Sequence, residues 1–146
     1  HCGALWVRLG ALARDNPAHQ SWVRSNLAAL TEAGEHTQRL LPTFAPRQLA
    51  NVAHGAAACG ISTNPSWSTF WARIASAAKP SLRAAQPSEI KDLAWAFATA
   101  KVPSPRLFDA MGAVVLERLD ELETEEVAML AWSFAALRHD SPQLLA

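Results

Sequence analysis

Side chains that can bind metals or act as nucleophiles are scattered along this sequence. The two cysteines are Cys2 and Cys59, and the histidines stand at positions 1, 19, 36, 54 and 139. None has the spacing to further ligands that zinc sites show, and no glycine-rich phosphate loop is present. No serine or cysteine has a neighbouring base that the sequence identifies. We therefore predict a protein that is not an enzyme, with no metal site, cofactor or small-molecule substrate.

Recognition through hydrogen bonds is the other chemistry that this sequence offers, because polar residues recur at matching positions. The recurring triplets are Arg47, Gln48 and Asn51, then Ser88, Glu89 and Asp92, then Glu125, Glu126 and Met129. Helical-repeat proteins that read single-stranded RNA place a few such side chains per repeat against each base. The same positions suit contacts with protein, and for any single residue a solvated polar surface is the simplest interpretation.

The recurrence points to the elements that carry these triplets. Three segments align without gaps: 46–54 (PRQLANVAH), 87–95 (PSEIKDLAW) and 124–132 (TEEVAMLAW). Apolar residues in each segment and its continuation follow the spacing i, i+3, i+4, i+7 and i+8, which predicts an amphipathic helix, here called helix A. The predicted core of the repeats consists of Leu49, Val52, Ile90, Leu93, Trp95, Phe97, Val127, Leu130, Trp132 and Phe134.

A second helix, helix B, is predicted to start ten or eleven residues after the tryptophan position of each helix A. An N-cap residue followed by proline marks its start at Asn16-Pro17, Asn64-Pro65, Ser104-Pro105 and Ser141-Pro142. The first proline interval is longer than the others. It predicts an insertion within 31–41, where Gly34 and a polar run interrupt the pattern.

Stacked hairpins are the fold that this pattern favours, because each hairpin has two apolar faces that only its neighbours can cover. We predict an all-α solenoid of about 3.5 repeats with a period of about 37–41 residues, forming a single domain over 1–146. The units are a degenerate repeat 1–41, repeats 42–82 and 83–122, and a partial repeat 123–146. An irregular bundle of alanine-rich helices is the less favoured alternative. The chain starts without methionine and stops as a helix begins, which indicates a fragment of a longer protein.

The segments Leu93-Ala94-Trp95-Ala96-Phe97-Ala98 and Leu130-Ala131-Trp132-Ser133-Phe134-Ala135 resemble the core of octotricopeptide and heptatricopeptide repeats. The resemblance covers the chain from Leu41 onward and is weak before it. Members of these families are typically α-solenoids of chloroplasts or mitochondria that bind single-stranded RNA or sit in ribonucleoprotein assemblies. The resemblance therefore implies an organellar, RNA-associated protein.

The second unit departs from this motif, since His54 and Ala56 replace the tryptophan and the phenylalanine. We interpret His54 as a packed core residue rather than a ligand. The lost volume is predicted to be filled by Trp67, Phe70 and Trp71, because cores tolerate exchanges that conserve total volume.

Charge is distributed unevenly and supports a second function. Residues 1–106 carry eleven basic and five acidic side chains, whereas residues 107–146 carry two and eight. An acidic C-terminal part repels phosphates, on which nucleic-acid affinity depends. The alternative is a non-catalytic scaffold subunit of an organellar photosynthetic, respiratory or ribosomal complex. No apolar run is long enough to span a membrane, so either protein is predicted to be soluble or peripherally attached.

Overall fold

A computed structural model describes residues 2–61 and 67–137, apart from the side chains of Cys2 and Leu27. In these residues there is no strand, and the chain forms helices α1 (Cys2–Asp15), α2 (Pro17–Ser25), α3 (Leu27–Leu40), α4 (Pro46–Ala58), α5 (Ser68–Ala78), α6 (Pro87–Ala100), α7 (Pro105–Glu117) and α8 (Thr124–Ala136). Short 3-10 turns follow α3, α5 and α7 at Leu41–Thr43, Lys79–Ala84 and Leu119–Glu121. The all-α helical-repeat prediction is confirmed.

Helices α1, α4, α6 and α8 form one layer, in which each helix packs along the next. The last three are the predicted helices A, and α4 and α6 begin at the expected prolines, Pro46 and Pro87. Seven residues of the predicted core are buried: Leu49, Val52, Ile90, Leu93, Phe97, Leu130 and Phe134. The repeated apolar stripe therefore faces neighbouring helices, as its spacing predicts.

A second layer contains α3, α5 and α7, which contact one another less than the helices of the first layer do. Helix α7 begins at Pro105, as predicted, while Asn64-Pro65 and Ser141-Pro142 lie outside the described residues. Trp67, Phe70 and Trp71 are buried under this layer, as their predicted space-filling role requires.

Aromatic rings connect the two layers from the first hairpin to the last. Successive ring centroids are 5.5, 5.8, 5.1, 6.4 and 4.9 Å apart along the series Trp6, Phe70, Trp71, Phe97, Phe108 and Phe134. These separations fall in the range in which tilted and edge-to-face aromatic pairs attract each other. We call this series the aromatic row.

The first unit differs from its prediction. One helix B is predicted from Pro17, but the structure contains two helices, α2 and α3, separated at Asn26. The predicted N-cap is confirmed, because Asn16 Oδ1 accepts a hydrogen bond from the backbone N–H of Ala18 at 2.8 Å. Helix α3, rather than α2, lies beside α5 in the second layer.

The predicted interruption within 31–41 is also wrong, because α3 continues through this segment to Leu40. Gly34 is required for close packing, since a Cβ atom there would lie 2.5 Å from Cζ3 of Trp67. The buried Thr37 hydroxyl accepts a hydrogen bond from Nε1 of Trp6 at 3.0 Å. The glycine and the polar run therefore belong to a helix.

Two residues of the predicted core are exposed, which corrects that prediction. Val127 is 42% exposed and Trp132 is 51% exposed, although their counterparts in α6, Ile90 and Trp95, are buried and half-buried. Both residues lie on α8, the last helix of the described chain. Within the described residues, α8 has a neighbour of the helix A layer on one side only, whereas α6 has one on both sides.

Two glycines allow α1 and α4 to approach each other closely. A Cβ atom on Gly10 would lie 3.1 Å from the Cα atom of Gly55, and a Cβ atom on Gly55 would overlap the carbonyl group of Trp6. Both obstacles are backbone atoms, so an added methyl group must push the helices apart.

We therefore expect Gly55→Ala to lower the free energy of unfolding by about 1–3 kcal/mol, as overpacking does. This should occur although alanine is the better helix former by about 1 kcal/mol. The matched control is Gly3→Ala, whose Cβ atom would meet only Asn51 Cβ at 3.9 Å, an ordinary contact. The free energy of unfolding of each variant is measured by urea unfolding monitored by circular dichroism. An unchanged midpoint in Gly55→Ala would contradict the close packing of α1 on α4.

Trp71 lies at the middle of the aromatic row, so substitutions there test how much the row stabilises the fold. Trp71→Ala should lower the free energy of unfolding by about 3–5 kcal/mol. Trp71→Phe should cost less than about 1.5 kcal/mol, because it keeps a ring of similar shape. It also removes Nε1, which is buried without a hydrogen-bond partner among the described residues. Equal losses in the two variants, measured by urea unfolding, would show that ring packing is not what Trp71 contributes.

Candidate binding surfaces

Metal-binding side chains are not clustered in the part of the chain that the structure describes. Over 2–61 and 67–137, no group of three or more His, Cys, Asp or Glu side chains could hold a metal ion. Cys59 is buried, and burial raises the pKa of its thiol to about 11. The thiol is therefore protonated at neutral pH and is a poor nucleophile.

The second residue of each recurring triplet stabilises the start of its helix. Gln48, Glu89 and Glu126 each accept a hydrogen bond on Oε1 from the backbone N–H three residues earlier, at 2.8, 2.7 and 2.8 Å. This bond is one half of a capping box, in which the third helical residue reaches back to the N-cap. The three-residue spacing from the helix start is the sequence signal for this role, and it is independent of any role in binding.

The other predicted binding residues share the outer side of the helix A layer. Arg47 and Ser88 are exposed, while Asn51 and Asp92 are half-buried. His54 and Trp95 lie between them, half-buried, with stacked rings whose centroids are 4.5 Å apart at an interplanar angle of 25°. We call this set the helix A surface: Arg47, Asn51, His54, Ser88, Asp92 and Trp95. The role in RNA or protein binding remains a prediction for the residues named from the sequence: Arg47, Gln48, Asn51, Ser88, Glu89 and Asp92.

Charges of both signs lie on and beside the helix A surface. Arg14 on α1 and Arg47 on α4 are exposed. In α6, Lys91 Nζ lies 3.7 Å from Asp92 Oδ1 and 3.9 Å from Oε1 of Glu125 on α8. Paired and alternating charges of this kind do not form the continuous positive track that a phosphate backbone requires.

The two ends of the helix A layer expose apolar side chains. Outward-facing residues of α8 form the C-terminal end face, all of them exposed: Val127, Ala128, Ala131, Trp132 and Ala135. On α1, the residues turned away from α4 form the N-terminal end face, also exposed: Ala4, Leu5, Arg8 and Leu12. Sequence periodicity identified the apolar stripe of α8 but could not show that its outer part is uncovered.

Comparison with known protein families, curated proteins and solved structures found no match to this chain. Among the described residues, no helix is both long and apolar enough to cross a bilayer. A proposal for the function therefore has to rest on the exposed surfaces and on the repeated motif.

The burial of His54 predicts that the stability of the fold depends on pH. Burial lowers the pKa of His54 from its ordinary value of 6.5, Arg14 and Lys91 lower it further, and Asp92 opposes the shift. The folded protein therefore binds fewer protons at this site than the unfolded chain does. We expect the free energy of unfolding to decrease as the pH falls from 6.5 toward the folded-state pKa of His54, and this contribution to level off below it.

Urea unfolding at about pH 7.5 and about pH 5 measures this difference. His54→Phe should reduce it, since phenylalanine can stack on Trp95 without a titrating group. His36→Phe is the matched control, because it makes the same exchange at a histidine that is exposed on α3. An unchanged pH dependence in His54→Phe would mean that burial does not lower the pKa of His54 in the folded protein.

Proposed function

We propose that this chain is a non-catalytic helical-repeat scaffold that binds protein through exposed apolar side chains of α8. The observation that carries the proposal is the C-terminal end face, where Trp132 is 51% exposed among apolar neighbours. Contiguous apolar patches on soluble proteins usually mark interaction sites. Tryptophan is also the residue type that contributes most to binding energy at the centres of protein interfaces.

The internal contacts of the stack support a protein helix as the partner of this face. Ala94 and Ala98 in α6 occupy the positions of Ala131 and Ala135 in α8, and both are buried. In α4 the corresponding residues Ala53 and Ala57 are buried too. A surface built on alanines admits another helix at short distance, so the end face of α8 has the shape that accepts one more helix.

Electrostatics favour protein over RNA at this end of the molecule. Residues 107–137 contain seven carboxylates, relieved by the single basic residue Arg118. Arg118 is held locally, because its guanidinium bonds both carboxylate oxygens of Glu121 and the carbonyl oxygen of Ala85. An RNA backbone would be repelled from this region.

Binding of single-stranded RNA is the second candidate function, and exposed basic residues elsewhere favour it. Eight of them are Arg8, Arg14, Arg24, Arg39, Arg47, Arg73, Lys79 and Arg83. The half-exposed rings of the His54–Trp95 stack offer a flat surface on which a base could lie. For either function we propose a chloroplast or mitochondrial protein, and the support for that location is the resemblance of the repeated motif.

Site-specific photo-cross-linking in cells tests the scaffold function. A photoreactive phenylalanine analogue in place of Trp132 should cross-link to protein. The same analogue at Leu119, an apolar position in the turn after α7 that is 44% exposed, should give no specific product. Labelled single-stranded RNA should bind the purified chain weakly even at low salt. No protein adduct from position 132, together with RNA binding that weakens steeply as salt rises, would establish the second candidate instead.

A further inference from the structure

A groove lies between α5 and α7 in the second layer, where the two helices make few contacts with each other. Beside the loop that precedes α7 it has a volume of about 720 Å³. A second recess of about 410 Å³ shares Lys79 with it and follows α7 as far as Val114. From Pro105 to Val114 the path along α7 is about 14 Å, the length of about four residues of extended chain. Both walls belong to neighbouring hairpins inside the described stack, so the groove is not an end of the stack.

Small side chains leave the space between these two helices unfilled. In the gap between α3 and α5, the large ring of Trp67 packs against Gly34. Leu107 holds the corresponding place in α7, two residues after the proline that begins helix B. Because leucine is smaller than tryptophan, it fills less of the next gap. The facing positions on α5 and α7 are alanines, namely Ala72, Ala75, Ala110 and Ala113.

The rims of the groove carry polar groups that have no partner among the described residues. Lys79 on one wall and Arg106 on the other are exposed, and neither forms an ion pair with a described residue. The hydroxyl of Ser104, in the loop between them, makes no capping hydrogen bond to α7. Two positive charges and a hydroxyl are therefore available to a ligand.

Carboxylates do not neutralise these charges within the described part of the chain. No acidic side chain lines the groove or the recess that continues it. Of the two carboxylates on α7, Glu117 is paired with Arg83 at 2.9 Å, and Asp109 lies outside the lining. The groove is therefore positively charged at its rims and apolar at its floor, where the buried rings of Trp71 and Phe97 lie.

We propose that this groove binds a short, extended, acidic segment of a partner protein, with one apolar side chain of that segment placed over Trp71. Opposite charges on the two rims guide the segment into place, and burial of the apolar side chain adds affinity. An enclosed small-molecule site buries most of its ligand. Here Ala72, Ser76 and Arg106 are exposed, so the groove is open along its length. This site lies on other helices than the apolar side chains of α8 and goes beyond the function proposed for them.

An array of short synthetic peptides, probed with the purified chain, tests the ligand class. The peptides carry several glutamates around one leucine, and matched peptides carry glutamine in place of glutamate or alanine in place of leucine. We expect the glutamate–leucine peptides to bind, and each matched peptide to bind at least about threefold more weakly. Fluorescence anisotropy with the labelled peptides measures the dissociation constants in solution.

Substitutions at the rims and in the wall test the position of the site. Lys79→Glu and Arg106→Glu should each weaken binding at least about threefold, because each turns an attraction into a repulsion. Ala72→Phe fills the groove with a side chain from its exposed wall and should weaken binding at least about tenfold. Arg24→Glu is the matched control, since it reverses a charge that is exposed on α2, and it should bind like the wild type. Circular dichroism confirms that the variants are folded.

Three results would overturn the proposal. They are glutamine peptides that bind as tightly as glutamate peptides, folded rim variants that bind like the wild type, and a chain that binds no acidic peptide. Single-stranded RNA that binds more tightly than the peptides, and is lost in both rim variants, would assign the groove to a phosphate backbone instead. A chain that binds no acidic peptide but still cross-links to protein from position 132 keeps the scaffold function and loses only this site.

Discussion

The aromatic row between the two helix layers is the interaction on which the rest of the structure depends. Phe97 of α6 contacts Trp71 of the preceding hairpin and Phe108 of its own hairpin, so its ring joins two neighbouring hairpins. Phe108 in turn contacts Phe134 of α8. No hairpin therefore buries its apolar residues alone, and the stability of each unit includes its interface with the next. Alanines and glycines set the spacing within the helix A layer, while the rings fill the wider gap beneath it.

Local patterns in the sequence were sufficient for the helices A and for most of their buried residues. The stripe from Ile90 to Phe97 repeats every turn, and its meaning depends only on neighbours along the chain. Gly34 was misread because the reason for it, the ring of Trp67, lies 33 residues away. Exposure of Trp132 could not be predicted either, since periodicity shows which side of a helix is apolar and not whether another helix covers it.

Among the candidate binding residues, some roles follow from neighbours along the chain, whereas others depend on residues far away in the sequence. The capping roles of Gln48 and Glu89 follow from a three-residue spacing that a sequence reader could recognise. The stacking of His54 on Trp95 joins residues 41 positions apart in adjacent repeats, which only the solenoid arrangement brings together. As a result the helix A surface offers a mixed set of charges and one aromatic pair, and the apolar end faces become the more distinctive feature of the molecule.

Amide hydrogen exchange, read helix by helix, tests most directly the claim that neighbouring hairpins stabilise one another. Helices α4 and α6 have a helix A on both sides, whereas α1 and α8 each leave one side uncovered in the described chain. At a concentration where the chain is monomeric, we predict the slowest exchange in α4 and α6 and faster exchange in α1 and α8, because local opening follows the loss of buried contacts. Amide exchange in α8 as slow as in α6 would contradict the claim that neighbouring hairpins stabilise one another. Exchange rates of α1, α4, α6 and α8 that do not depend on position in the stack would contradict it too.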